Sequence, residues 1–462
     1  MTSISSNIAK VLIALVLCAL LLNVYFLSVI FSHEKEIDSS LKESMKQSEK
    51  VMEKILKRPF IRLAPRNVST EENTTFLATR KILAAVSNLK NVHRRFSMQT
   101  VNRLQNLENN LKISSSVPID LWDAAAKWVS ERETIPDGKT QLLGSVLNAL
   151  TSSKIIRAEN TRKGTQLKIL ITLEGGQKAL FKPQWYKREE IIGGPVYAGK
   201  DRHNGEIAAF HLSLLLGLRR VPLTVGRTVD LRREILPVAE LNLSKTFFQD
   251  GNNTCLYGVC YYCRPDDAVC AKRDMMEGAV ILWLPDHLQL KKHRHPWQRT
   301  YRAHAPAKWE ISSSYCSTVR KNTLYSQGPR LLDIIDTAIF DFLIDNGDRH
   351  HYEVLSSFGH SVVLLLDNGK SFGNPKVDHI DILAPLYQCC RLRKSTWFQL
   401  WTLQGGKLGE WLDRLMRSSH LHPVLSKAHL QALDRRLGLV LAAVHVCIAE
   451  NNSREDRVII DD

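Results

Sequence analysis

Residues 330–346 (RLLDIIDTAIFDFLIDN) place Leu331, Ile335, Ala338, Ile339 and Phe342 on one stripe at helical spacing, which predicts a buried helix. Residues 165–182 (TQLKILITLEGGQKALFK) alternate with period two on either side of Glu174-Gly175-Gly176-Gln177, which predicts a hairpin whose second strand ends at Lys182. A second helix is predicted over 204–216 (NGEIAAFHLSLLL), with Asn204 as its N-cap and Glu206 in its first turn. Two further apolar runs, 277–284 (EGAVILWL) and 361–366 (SVVLLL), read as strands.

The pattern changes toward the ends. Residues 11–31 form an apolar run long enough to cross a bilayer and too long for the core of a cleaved signal peptide, so a signal anchor with a cytoplasmic tail at 1–10 is expected. Residues 32–116 are polar and poor in aromatics and read as a stem. A loose stripe at Ile37, Leu41, Met45, Met52, Ile55 and Leu56 is broken by Pro59 and Pro65. A folded domain is expected over 117–450, opening with the helix-like DLWDAAAKWV at 120–129. Residues 451–462 read as a polar tail expected to fray.

Candidate chemistry sits where these elements end. The helix at 330–346 leads into Asp348-Arg349-His350-His351-Tyr352-Glu353, and the run at 361–366 delivers Asp367-Asn368-Gly369. An acid, a second polar ligand five residues on, and a later Asp-x-Gly is the order in which kinases place a catalytic base and two metal-facing groups. A Lys on a strand followed by a Glu on the next helix, here Lys182 and Glu206, is the order of the kinase phosphate-gripping ion pair. Taken singly, an Asp-x-Gly is ordinary turn chemistry, and Glu206 could serve only the helix dipole. No Gly-rich phosphate loop precedes Lys182. Only Lys163-Gly164-Thr165-Gln166 stands there, so Gln166 is a candidate for the missing grip. Ile281, Leu282, Trp283 and Leu284 are the candidate hinge for adenine, with an ordinary core strand as the other reading.

The formal net charge of the 462-residue chain is +16. In the cytosol that would suggest nucleic acid, but behind a membrane anchor it fits polyanions such as proteoglycans or ATP, and no nucleic-acid partner is expected. The densest patch, Lys291-Lys292-His293-Arg294-His295 with Trp297, Arg299 and Arg302, is either a sugar- and phosphate-binding surface or a solvated loop. Asn67, Asn73, Asn242, Asn252 and Asn451 each open an Asn-x-Ser/Thr sequon, which favours a luminal domain. Of nine cysteines, Cys18 lies in the apolar span. The other eight, Cys255, Cys260, Cys263, Cys270, Cys316, Cys389, Cys390 and Cys447, suggest disulfides, with zinc at the lone CxxC as the rival.

The segments EGGQKALFKP, YAGKDRHNGEIAAFHL, GNNTCLYGVCYYC, HRHPWQRTYR, DNGDRHHYE, LLLDNGKSFGNP and ILAPLYQCCRLRKSTW resemble the secretory-pathway (Golgi) kinases over roughly 117–448. KSFGNP after Asp367, RTYR after HRHPW, and Trp397 in KSTW are most similar to the glycosaminoglycan xylosylkinase branch. The resemblance implies an α+β, two-lobed, atypical protein-kinase-like fold with a disulfide-stapled C-terminal lobe. It implies pairing of Cys255 with Cys270, Cys260 with Cys263, Cys316 with Cys389, and Cys390 with Cys447. It implies Asp348 as catalytic base, Lys182 on the α- and β-phosphates of ATP, Glu206 orienting Lys182 or on the metal, Asp367 on Mn²⁺ or Mg²⁺, and Glu353 facing nucleotide and metal. The implied enzyme is a single-pass type II protein of the Golgi membrane that phosphorylates the 2-hydroxyl of xylose in the proteoglycan linkage glycan. The alternatives are a luminal Ser protein kinase and a catalytically dead scaffold, and the complete set Lys182, Glu206, Asp348 and Asp367 argues against the scaffold.

Overall fold

The hairpin at 165–182 builds the middle of the first lobe. In the computed structural model, which describes residues 74–87, 89, 96–114, 120–137, 142–161, 164–302 and 305–462, Ile169, Ile171 and Leu173 of one strand are fully buried while their alternate neighbours face outward. Gly175 and Gly176 both take left-handed backbone (φ 85° and 82°), as a tight hairpin turn demands. The expected anchor at 11–31 and the sequons at Asn67 and Asn73 lie outside the described residues. Among the described residues, no helix is long and apolar enough to cross a membrane.

The first lobe is a five-stranded antiparallel sheet in the order β1-β2-β3-β8-β4. These strands are β1 (Ile155–Asn160), β2 (Ile169–Leu173), β3 (Lys178–Pro183), β4 (Thr224–Asp230) and β8 (Met275–Leu282). Between β4 and β8 runs a small three-stranded sheet of β5 (Phe247–Asp250), β6 (Asn253–Leu256) and β7 (Val269–Cys270). It carries the Cys255–Cys270 and Cys260–Cys263 disulfides.

Four helices accompany this lobe in sequence: α1 (Thr74–Val86), α2 (Met98–Asn110), α3 (Leu121–Trp128) and α4 (Leu143–Ser152). The first two fall inside the stretch read as stem. Ile82, Leu104, Leu107 and Leu111 are nonetheless buried in the main core. The last three recur at helical spacing, and an average polar composition hid that one-sided stripe. Helix α5 (His203–Leu215) is buried on every side, as expected of a helix apolar almost all round. Its N-cap is Arg202, without a side-chain cap bond, so Asn204 lies inside the helix and not at its cap.

The second lobe is helical. Helix α6 (Arg330–Ile344) ends at Asp345 in left-handed backbone (φ 58°). It packs against α9 (Lys427–Glu450), which also packs on α1 and on α8 (Lys407–Met416); α7 is Lys394–Thr402. The Cys316–Cys389 and Cys390–Cys447 disulfides tie two flanking segments, one of them α9, to the turn after residues 384–388. Strands β9 (Leu290–Arg294) and β10 (His351–Leu355) pair next to the Asp348 loop. Residues 361–366 join no ladder; Leu364 makes one bridge to Glu353. The expected fraying of the tail does not occur. Val458 is fully buried, and β12 (Ile459–Ile460) pairs in parallel with β11 (Leu392–Arg393), because three apolar residues follow the polar stretch. Arg220, ahead of β4, reaches across to Asp336 of α6 at 3.1 Å and links the lobes through a buried ion pair.

Candidate active site

Lys182 lies next to the end of β3 with its side chain in the cleft between the lobes. Its Nζ lies 2.6 Å from Glu206 Oε1, 2.6 Å from Asp367 Oδ1 and 3.1 Å from Asp201 Oδ2. Lys182, Glu206 and Asp201 are buried, whereas the Asp367 side chain is 63% exposed to the cleft. Burial alone would weaken the Lys182 ammonium, but Asp201, Asp367 and Glu206 outweigh it and hold its pKa well above the ordinary value. In turn the Lys182 charge holds the Asp367 carboxyl well below the usual carboxylate range.

The loop bearing Asp367 is clamped from three sides. Glu206 Oε1 accepts from the Asn368 amide at 3.0 Å. Arg349 of the Asp348 loop donates to Leu366 O at 2.6 Å and to Asn368 Oδ1 at 2.9 Å. Arg202 N donates to Gly369 O at 2.7 Å. Asp367 itself is left-handed (φ 57°). A Cβ on Gly369 would lie 2.7 Å from Asp201 Cβ, so this glycine lets the Asp201 segment close on the loop. A Cβ on Gly205 would lie 2.4 Å from Ser371 Oγ, so Gly205 lets the first turn of α5 sit directly against the loop.

Asp348 follows α6 by four residues. Its Oδ1 accepts from the Tyr301 hydroxyl at 2.6 Å, and its backbone N–H donates to Asn346 Oδ1 at 3.2 Å. Burial raises the Asp348 pKa, and the bonds from Tyr301 and the charges of His350 and Lys370 counter that rise. Tyr301 packs edge-on to Tyr197, with ring centroids 4.8 Å apart. The segment bearing Tyr197 covers the Asp348 loop, because a Cβ on Gly347 would lie 2.0 Å from Val196. Glu353 on β10 pairs with His351 Nε2 at 2.9 Å. Burial raises its pKa, but His351, Arg349 and Lys292 outweigh that and hold it below its ordinary value.

The structure thus brings Lys182, Glu206 and Asp367 into direct contact, with Asp348 and Glu353 on the loop and strand beside them. Gln166 Oε1 is buried without a hydrogen-bond partner, which suits a ligand donor at that place. The hinge candidates divide. Ile281 is flanked by Leu180 of β3 and Thr224 of β4. Leu282 N donates to Leu223 O, and Trp283 N to Lys178 O. Leu284 alone keeps both backbone groups free of hydrogen bonds among the described residues. The basic patch also divides. Lys291, Lys292 and Arg294 are exposed on β9. His295 and Trp297 are buried, Trp297 donating to Gln388 at 2.8 Å, while Arg299 is paired with Asp381 at 2.5 Å. Asn242 and Asn252 are exposed, whereas the Asn451 amide donates to Cys447 O at 2.9 Å.

Sequence reasoning missed Asp201, Tyr301 and Arg349. Asp201 carried a signal, an acid in KDRHN five residues ahead of Glu206. Tyr301 lies 47 residues from Asp348, and no local pattern ties them.

Three carboxylates around one ammonium leave a net negative cluster of oxygen donors, which suits a hard divalent cation. Comparison with known proteins agrees with this geometry. A glycosaminoglycan xylosylkinase of Danio rerio is 55% identical over 342 residues, covering 73% of this chain and 83% of that protein. The structure of hydra Fam20 with sugar superposes with a TM-score of 0.72 at 48% identity, covering 75% of this chain and 99% of that one. The Golgi casein kinase with Mn/ADP bound superposes with a TM-score of 0.71 at 30% identity, covering 88% of this chain and 96% of that one. The profile described as Golgi casein kinase, C-terminal, Fam20 matches residues 120–456, and the chain belongs to the Fam20 family.

Proposed function

We propose that this chain is a luminal kinase that transfers the γ-phosphate of ATP to the 2-hydroxyl of xylose in the glycosaminoglycan–protein linkage region of proteoglycans. The observation that carries the reading is the intact Lys182–Glu206–Asp367 contact beside Asp348, in a chain 55% identical to a named glycosaminoglycan xylosylkinase. A family member lacking any of these groups could bind nucleotide without transferring phosphate, so the completeness of the set separates an enzyme from a scaffold.

In this reading Asp348 takes the proton of the acceptor hydroxyl on Oδ2, while Tyr301 holds Oδ1 and fixes the carboxylate plane. The acceptor oxygen bonds to the γ-phosphorus as the bond to the β,γ-bridging oxygen breaks, and ADP leaves. Lys182 holds the α- and β-phosphates, and Gln166 and Glu353 face the nucleotide. Leu284, with its neighbours Ile281, Leu282 and Trp283, borders the adenine. Glu206 and Asp367, with Asp201 beside them, fit a bound Mn²⁺ or Mg²⁺, which would neutralise charge on the transferring phosphoryl group. Glu206 and Asp367 would release Lys182 in part as the phosphates arrive. The same proposal places residues 11–31 as a type II anchor in the Golgi membrane, with the tail at 1–10 cytoplasmic and the sequons luminal.

The test offers purified protein radiolabelled ATP and Mn²⁺ with either a galactosyl-xyloside or casein. Label is expected on the 2-hydroxyl of the xyloside. Label on casein alone would replace the sugar-kinase reading with the protein-kinase one, and transfer that survives chelation would end the kinase mechanism.

A further inference from the structure

The cleft lacks a Gly-rich loop, yet a second lysine faces it. Leu167, Ile169, Ile171 and Leu173 are buried in the core. The alternate residues, Gln166, Lys168, Leu170 and Thr172, therefore share the opposite face of the strand. On β3 the same face carries Leu180, which pairs with Leu170. Continuing that register by one alternate pair sets Lys168 opposite Lys182. Two lysines opposite each other on one sheet face repel, so the pairing holds only beside the carboxylates of the cleft or a bound anion.

The two lysines are not equivalent. Lys182 has three carboxylates at bonding distance. Lys168 is only 9% exposed and makes no hydrogen bond or ion pair among the described residues. Its charge reaches the Asp367 carboxylate and helps hold it ionised. Gly164 turns over it in left-handed backbone (φ 84°), and a Cβ there would come 2.4 Å from Lys168 Nζ. The Lys168 stem is buried but its ammonium is not sealed off, and with no group of the chain at bonding distance it is placed to meet an anion that the chain does not supply. Gln166 Oε1, which is buried and without a partner, lies two residues away on the same face.

We infer that Lys168 binds the terminal phosphates of the nucleotide, beneath the Gly164 turn, and so replaces the backbone amides of a Gly-rich loop. The inference rests on the reading of the cleft as a nucleotide site and extends it to a residue outside the Lys182–Glu206–Asp367 set. Arg and Lys can each supply the charge, but only a side chain reaching past Gly164 can place it.

The experiment measures binding of ATP, ADP, AMP and adenosine in Mn²⁺ by calorimetry, without acceptor, on the full chain and on K168M, K168R and G164A. K168M is expected to lose about 10–100-fold in ATP affinity, the range for a lost charge-assisted hydrogen bond, with AMP and adenosine unchanged. K168R should recover most of the loss. G164A, which keeps Lys168 but crowds its ammonium, should weaken ATP more than adenosine. Unchanged ATP affinity in K168M and G164A overturns the inference, as does an equal loss for all four ligands, which would mark Lys168 as structural. Wild-type protein that binds none of the four would overturn the nucleotide reading itself, whereas wild-type binding with an unaffected K168M would leave that reading standing.

Discussion

Replacing Glu206 by Gln separates the structural from the chemical role of the buried acid. The carboxylate sits 2.6 Å from Lys182 Nζ, and removing one partner of a buried ion pair ordinarily costs about 3–5 kcal/mol. Here two other carboxylates remain on the same ammonium. Because Glu206 and Asp367 each lie 2.6 Å from Nζ, their nearest oxygens are no more than about 5 Å apart. At an effective dielectric constant of about 20, that repulsion is on the order of 3 kcal/mol, and Asp201 adds a similar amount. The Glu206–Lys182 attraction at the same dielectric is on the order of 6 kcal/mol, so gain and loss nearly cancel. Exposure of Asp367 to solvent weakens its share of the repulsion. Gln also keeps an oxygen to accept from the Asn368 amide. Glu206→Gln should therefore change the stability of the free protein by less than about 2 kcal/mol, within the ordinary range for a tolerated substitution. Binding should respond quite differently. With Mn²⁺ and ATP at a hundred times its dissociation constant, wild-type protein gains about 2.7 kcal/mol, and the variant should lose most of that gain. Urea unfolding with and without Mn²⁺-ATP reads both quantities. A free protein destabilised by well over 3 kcal/mol would make Glu206 chiefly the structural counter-ion of Lys182, and an undiminished ligand gain would remove it from the metal-facing set.

Asp348→Asn keeps the shape of the base but cannot take a proton, so nucleotide binding should stay near wild type while turnover falls by about 10²–10⁴-fold, the usual range for lost general-base help; lost binding with normal turnover per bound nucleotide would contradict the role. Cys390→Ser opens the bridge to Cys447 and should cost about 2–5 kcal/mol, seen as poor secretion or a lower Tm, and a variant that melts like wild type would contradict that cost. Asp434 lies against the N-terminus of α8, where burial raises its pKa to about 7 despite bonds from the Gly409 and Leu408 amides. Folding thus favours its neutral form: that stability is complete below about pH 4 and is lost as pH rises toward 7, with a slope of up to about 1.4 kcal/mol per pH unit. Asp434→Asn should therefore stabilise the protein at pH 8 and change little at pH 4, and a gain of equal size at both pH values would mean the carboxylate does not titrate in this range.

Much of the site was legible because kinase chemistry fastens functional groups to the ends of regular elements. Helix α6 has a strong apolar stripe, so its end and the following Asp348 could be located within a residue or two. The β2–β3 hairpin has strict alternation and two glycines in its turn, which fixed Lys182 at a strand end. Residues 361–366 failed as a strand but still delivered Asp367, because an apolar run is buried whether or not it joins a ladder. What local pattern could not show was contact across sequence. The bond between Tyr301 and Asp348 spans 47 residues and rests on backbone at Tyr301 that is left-handed (φ 58°) for a bulky side chain.

The errors at the two ends have one physical origin. Composition averages over a segment, whereas burial selects one face. α2 averages polar, yet Leu104, Leu107 and Leu111 fall on a single stripe and enter the core. The tail averages polar, yet Val458 is fully buried and Ile459–Ile460 add a strand to β11, next to the turn stapled by Cys390. The same face-by-face logic isolates Lys168. A lysine within two residues of a strand start is unremarkable in sequence, since lysines commonly cap strands with the ammonium in water. It becomes informative only when the core on the other face proves complete, the register sets it opposite Lys182, and its ammonium has no group of the chain at bonding distance. Its charge reaches the Asp367 carboxylate, yet no carboxylate of the chain closes on it. In the inferred role the ammonium meets an anion that arrives after folding, the terminal phosphates of the nucleotide, in the cleft that carries Asp367 and Asp348.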